Sequence, residues 1–233
     1  PMKKQILLIV SVLTMVFTTG ARATENIRET RQVSGFSELE IGSAMIVEVH
    51  KGSTHKVELE GRPEDLSRVI TEVKGGELHV GLKSMSRTKT IKVFITMPAL
   101  EGVDISGSAQ LRTLDIFEVN NFDLELSGGS QAEMELKCSG SISIDVSGGS
   151  IARLKGSTRS GEIEASGGAQ IEAKDFMATS LDVDMSGGAQ IKVKVEDRIK
   201  VDGSGGSQLW YSGKPKHVVA NTSGSAQVKE LKS

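Results

Sequence analysis

The chain carries a single cysteine, Cys138, among 233 residues. A lone thiol excludes an intrachain disulfide framework and a cysteine-rich zinc site, so stability has to come from burial and hydrogen bonding. Aromatic residues make up only 3% of the chain, which argues against a large aromatic-packed core. The four prolines follow no triplet period, excluding collagen and proline-rich linkers. Neither sign of charge dominates, with 28 basic side chains against 30 acidic ones. That balance fits neither a basic nucleic-acid binder nor a disordered acidic tail, and no nucleic-acid partner is expected. What the chain does have is glycine, 26 of 233 residues against a usual ~7%.

Only the start of the chain is strongly apolar. Lys3 and Lys4 precede the run from Ile6 to Phe17, and Ala21 and Ala23 place small residues where a signal peptidase cuts. Those twelve residues would cover roughly 18 Å as a helix, short of the ~30 Å hydrocarbon layer. Residues 1–23 therefore read as a signal peptide. No second run of spanning length follows, so the expectation is an exported protein, periplasmic or at the cell surface, with no stable membrane insertion once the signal is removed.

A motif of five residues recurs along the remainder. It is SGSAQ at 106, SGGSQ at 127, SGGSI at 147, SGGAQ at 166 and 186, SGGSQ at 204 and SGSAQ at 223, with spacings of 21, 20, 19, 20, 18 and 19. Three residues before each serine stand Val103, Leu124, Ile144, Ile163, Val183, Val201 and Ala220, all apolar. Two before it stand Asp104, Glu125, Asp145, Glu164, Asp184, Asp202 and Asn221. An apolar residue on either side of an acid is a period of two, the mark of a strand with one buried face. After the motif comes an apolar residue and then the series Arg112, Glu133, Arg153, Glu172, Lys192, Trp210 and Lys229, whose partly alternating signs suit pairing between neighbouring copies.

About twenty residues hold two or three short strands joined by tight Gly and Ser turns, and no copy can bury its apolar face alone. Stacking the copies as coils lets each strand pair with its equivalent ~4.8 Å away. The predicted fold is all-β, a right-handed parallel β-helix of about seven coils over 101–233. The motif glycine supplies a positive φ at each corner, while Ser and Gln can bond to their own copies above and below. Residues 24–100 show the repeat only faintly, in Gly42, Ser43 and Ala44, and are expected to form an N-terminal β module capping the solenoid. At the other end Lys229, Glu230 and Lys232 are charges that disfavour end-to-end stacking.

The exported start, the N-terminal β module and the SGGAQ and SGGSQ coils together resemble the bacterial head GIN domain family, also known as auto-transporter adhesin heads. The resemblance covers nearly all of 27–233 and rests on the repeated motif rather than on a catalytic signature. It implies a β-helical fold and a cell-surface or periplasmic setting, and it carries no residue set to be transferred as a site. No membrane barrel follows the repeats in this sequence, so the chain is not expected to transport itself.

Several rows could carry chemistry. In the acidic row, oxygen ligands one coil apart can converge on a hard cation, which makes Asp145, Glu164 and Asp184 metal candidates and Ca²⁺ the ion to consider. Against this, the nine-residue Gly-Gly-x-Gly-x-Asp repeat of calcium-binding β-rolls is absent, and a solvated strand face needs no ion. Trp210 and Tyr211 interrupt the charged series, and flat rings suit the apolar face of a sugar. With Gln170, Gln190 and Gln208 they form the candidate ligand-binding set. Asp182 and Asp184 share a strand face and could form a carboxylate pair for glycoside hydrolysis, but both occupy repeat positions. The histidines, His50, His55, His79 and His217, lack metal-ligand spacing, and no nucleophile elbow is present.

Extreme repetition without a unique polar cluster favours an extended surface over one reaction centre. The expected function is an exported, non-enzymatic, adhesin-like binding protein whose long faces hold a glycan or an envelope or host surface protein. The alternative is a β-helical polysaccharide lyase or glycoside hydrolase.

Overall fold

The computed structural model describes residues 25–84 and 88–231; the expected signal peptide and Lys232 lie outside them. From the N-terminus come β1 (Ile27–Arg31), β2 (Glu38–Ile41), β3 (Met45–Lys51) and β4 (Lys56–Gly61). A single helical turn, α1 (Pro63–Leu66), leads to β5 (Val69–Lys74), β6 (Glu77–Leu82) and β7 (Ile91–Met97). The repeats begin with β8 (Gly102–Ile105), β9 (Gln110–Thr113), β10 (Phe117–Val119), β11 (Phe122–Leu126), β12 (Gln131–Cys138) and β13 (Ser141–Val146). Three long strands follow, β14 (Ile151–Ala165), β15 (Gln170–Met185) and β16 (Gln190–Gly203), and then β17 (Gln208–Ser212), β18 (His217–Thr222) and β19 (Gln227–Glu230).

These strands stack as parallel coils, a β-solenoid of about six turns in which 64% of the described residues are strand and 2% helix. Seven motif copies mark corners, and seven corners one turn apart bound six full turns. The segment before each motif builds one face, in the order β6, β2, β8, β11, β13, the second halves of β14, β15 and β16, and β18. The segment after it builds a second face from β7, β3, β9, β12, the first halves of β14, β15 and β16, then β17 and β19.

Strands from both sides of residue 100 share these faces. The β2–β3 pair sits between β6–β7 and β8–β9, so its coil lies between segments that follow it in sequence. Beyond it, β4 runs antiparallel on β7 with β1 antiparallel on β4, and β5 runs antiparallel on β6. Those reversed strands cover the N-terminal edges of both faces, which would otherwise be open to other chains.

The core follows from the alternation read in the sequence. Val103, Leu124, Ile144, Ile163, Val183 and Val201 form one buried row, and Leu111, Ala132, Ala152, Ile171, Ile191 and Leu209 another. Large and small residues compensate within a row: a Cβ on Gly203 would lie 2.9 Å from Cε of Met185, whose side chain covers that glycine. Each corner is held by the motif's first glycine, with φ between 67° and 76° at all seven copies. The following residue's N–H donates to the first glycine carbonyl of the preceding turn, at 2.7 Å from Gly129 to Gly107 and from Gly149 to Gly128. The faint N-terminal echo is a true corner, because Ser43 adopts φ 73° and its carbonyl accepts from Ser108 N–H at 3.2 Å.

Candidate functional site

The fourth motif position points inward, where only a small side chain fits beneath the corner. Ala109, Ser130, Ser150, Ala169, Ala189 and Ser207 are all fully buried there. A buried hydroxyl needs a partner. Ser130 Oγ donates to Ser150 Oγ at 3.3 Å because the two serines occupy adjacent turns. Ser207 stands beside Ala189, and its Oγ donates instead to the Ser204 carbonyl of its own corner at 2.8 Å. The expected glutamine ladder does not form: among the described residues the motif glutamines face outward and share no side-chain hydrogen bonds.

On the outer side of the first face, register places Glu40, Asp104, Glu125, Asp145, Glu164, Asp184 and Asp202 directly beside one another on successive turns. His79 extends the row beyond Glu40, with Nδ1 2.7 Å from Glu40 Oε2. Asn221 ends it at the other side, donating from Nδ2 to Asp202 Oδ1 at 2.8 Å. Two residues upstream a second row carries Glu77, Glu38, Asp123, Glu162 and Asp182 before reaching Lys200. The motif serines flank the first row on its other side, and together they line a shallow trough from Glu125 past Ser147, Glu164 and Asp184 to Asn221.

Like charges at strand spacing repel, and the titration directions show where. Burial, then the neighbouring Glu125, Glu40 and Glu77, push the Asp104 carboxyl above its ordinary range. Glu77 is raised in the same way, by burial and then by Glu40 and Glu38. At the far end the repulsion is relieved. Lys200 Nζ stands 2.8 Å from Asp202 Oδ2, and its hydrogen bond, with that of Asn221, holds Asp202 low.

The outer side of the second face is different. Glu48, Arg112, Glu133, Arg153, Glu172 and Lys192 follow one another in register with alternating sign. The expected pairing is present, with Lys192 Nζ 2.8 Å from Glu172 Oε1 and Arg112 Nε 4.0 Å from Glu133 Oε2.

The sequence-derived candidates fall into place unevenly. Asp145, Glu164 and Asp184 are adjacent members of the acidic row. Among the described residues no three His, Cys, Asp or Glu side chains converge in a way that could hold a metal ion. Gln170, Gln190 and Gln208 align on the second face, and Trp210 lies two residues from Gln208, its ring centroid 6.0 Å from Lys192 Nζ. Tyr211 does not join them. It pairs in register with buried Val193 and packs against the core, because period-two alternation sends neighbours to opposite sides. Cys138 is buried, and loss of solvent pushes its thiol up to about 11. Sequence reading missed Glu40 and His79 as members of the row. The apolar-acid-apolar triplet Leu39-Glu40-Ile41 before Gly42 carried that signal.

The sequence model of the family described as "Putative auto-transporter adhesin, head GIN domain" matches residues 35–215. The chain belongs to this family. No curated protein matches it. Crystal structures of relatives share the fold. One described as a putative adhesin from Bacteroides fragilis NCTC 9343 superposes with a TM-score of 0.85 at 18% identity, covering 90% of this chain and 98% of that one. Another putative adhesin, from Parabacteroides distasonis ATCC 8503, gives 0.71 at 17% identity over 90% and 98%. A protein of that same organism described as a putative lipid binding protein gives 0.66 at 16% over the same shares. At such identity the likeness speaks for the head GIN fold alone. Among the described residues no helix is long and apolar enough to cross a membrane.

Proposed function

We propose that this head GIN domain protein is an exported, non-enzymatic binding protein that holds a glycan or protein partner along a long face of the solenoid, and that the acidic trough is the face used. The observation that carries this reading is the contrast between the two faces. The second face neutralises itself by alternating sign, whereas the first keeps an unbroken row of seven carboxylates from Glu40 to Asp202. Folding alone gains nothing from that row, since stacked acids repel. A partner presenting positive charge or hydroxyl donors at the spacing of the turns would relieve the repulsion all along it. An acidic polysaccharide would meet a face of its own sign, which counts against degradation of such polymers.

The test compares the protein with a variant combining Glu125→Gln, Asp145→Asn and Glu164→Gln in binding to a glycan array and to immobilised basic and acidic envelope proteins. Binding that is salt-sensitive in the parent and at least tenfold weaker in the variant is the expected result. Equal binding by both proteins would sink the assignment of the trough.

A further inference from the structure

On the outer side of the second face the alternation of sign stops two residues past Arg153, Glu172 and Lys192. There stand Lys155, Lys174 and Lys194, three cations on successive turns. Stacked lysines repel as stacked acids do, so folding gains nothing from gathering them. Other lysines of these turns are placed differently: Lys192, Lys200 and Lys216 hold Glu172, Asp202 and Asp197 at 2.8, 2.8 and 3.0 Å. A register shift in β15 sets Asp175 directly beside Lys155. Lys174 and Lys194 form no ion pair among the described residues.

A third lysine joins them. After β17 the chain leaves the second face through Gly213 and Lys214, whose φ are 103° and 59°. The glycine is required, because a Cβ there would run into the Val195 carbonyl of the preceding turn. The lysine is not, since a left-handed backbone suits Gly or Asn, and among the described residues only Ser43 and Lys214 hold it with a side chain. A side chain kept in a disfavoured conformation is a sign of use. Lys216, paired with Asp197, fastens the loop to the turn before. Lys174, Lys194, Ser212, Gly213, Lys214 and Glu230 together line a cavity of about 470 Å³, within the range of small-molecule sites.

We propose that this cavity is a binding site for a phosphate monoester, of the kind a phosphorylated sugar carries. The charge count selects the ligand. Three lysines against the one carboxylate of Glu230 leave a net charge of +2 on the cavity wall, and a phosphate monoester carries about −1.5 to −2 near neutral pH. A sulfate ester or a phosphodiester brings a single negative charge and would leave one lysine uncompensated. The three ammonium groups and the Ser212 hydroxyl are all hydrogen-bond donors, suited to the three terminal oxygens of the phosphate. The site lies on a different face from the acidic trough and is opposite in sign, so neither depends on the other.

Chemical-shift titration of the isotope-labelled protein with glucose 6-phosphate, glucose 6-sulfate and glucose reads both affinity and place. Saturable shifts at the Gly213 and Lys214 amides are expected with the phosphate, binding roughly tenfold weaker with the sulfate, and no response to glucose. Lys214→Gly removes the amine while giving the left-handed position the residue that suits it, so the fold is retained and binding should weaken roughly tenfold. Lys194→Gln should weaken it as much, whereas Lys192→Gln, on the same face but paired with Glu172, should bind as the parent does. A phosphomannan titrated at equal phosphate concentration separates the sources, since tighter binding of the polymer marks a glycan and equal binding a free sugar phosphate. No saturation by about 10 mM, equal affinity for sulfate and phosphate, shifts located elsewhere, or parent-like binding by Lys214→Gly would each overturn the proposal.

Discussion

Gly148 sits at a corner with φ 69°, and a Cβ there would lie 2.6 Å from the Gly128 carbonyl of the turn before. The residue after it is under no such constraint, since a Cβ on Gly149 meets nothing nearer than 3.7 Å. The sequence shows the same division, because the second motif position is always Gly while the third is Ser at Ser108 and Ser225. Gly148→Ala is therefore expected to lower stability by at least about 1–2 kcal/mol from the left-handed backbone alone. Gly149→Ala should stay within about 0.5 kcal/mol. Urea melts of the two variants decide the matter, and equal losses would mean that the corner is not held by the carbonyl contact. Ser43 is the converse case, a side chain held at φ 73°. Replacing it, Ser43→Gly, should raise stability by up to about 1 kcal/mol, read as a higher urea midpoint at unchanged slope.

Within single elements the rows repack locally rather than repeat. On the first face Ala165, Met185 and Gly203 are successive neighbours, and the long methionine fills the space the other two leave. Met185→Ala should open a cavity and cost about 2–4 kcal/mol. Gly203→Ala alone should cost less, because only the flexible Met185 Cε has to move. Thermal melts of the double variant should show a loss smaller than the sum of the two, and strict additivity would show that the side chains do not share that space. This is also the scale at which the sequence was most and least informative. Period-two alternation with a fixed spacing of about twenty residues made the parallel stack, the buried rows and the acidic row legible, because each depends only on local pattern. The same alternation places Trp210 and Tyr211 on opposite sides, so grouping them as one site ran against it. The order of coils was not legible: nothing local in β2 and β3 records that they stack between β6–β7 and β8–β9, a pairing of segments distant in sequence.

Across the whole molecule the acidic face ties stability to pH, and the sign follows from which state holds protons more tightly. Asp104 and Glu77 are raised in the folded chain from ordinary values of 3.8 and 4.5. The folded state therefore binds those protons more strongly, and stability declines as pH rises through the raised values. Asp202, Glu72 and Asp197 act oppositely, held low chiefly by hydrogen bonds from Lys200, Lys74 and Lys216. Their contribution is present above the ordinary values and disappears as pH falls through the lowered ones. The melting temperature should thus increase as pH is lowered from neutral through the raised values of Asp104 and Glu77, and drop only in stronger acid, below the ordinary carboxylate values. Asp104→Asn removes one charge from between Glu40 and Glu125, and should raise stability at pH 7 by about 0.5–1 kcal/mol, some 1–4 °C for a chain of this size. It should also flatten that rise. Because the histidines are the same in both proteins, the difference between the two melting profiles isolates the carboxylate. A variant that melts lower than the parent at pH 7 would show that Asp104 gains more from its surroundings than its neighbours in the row take away.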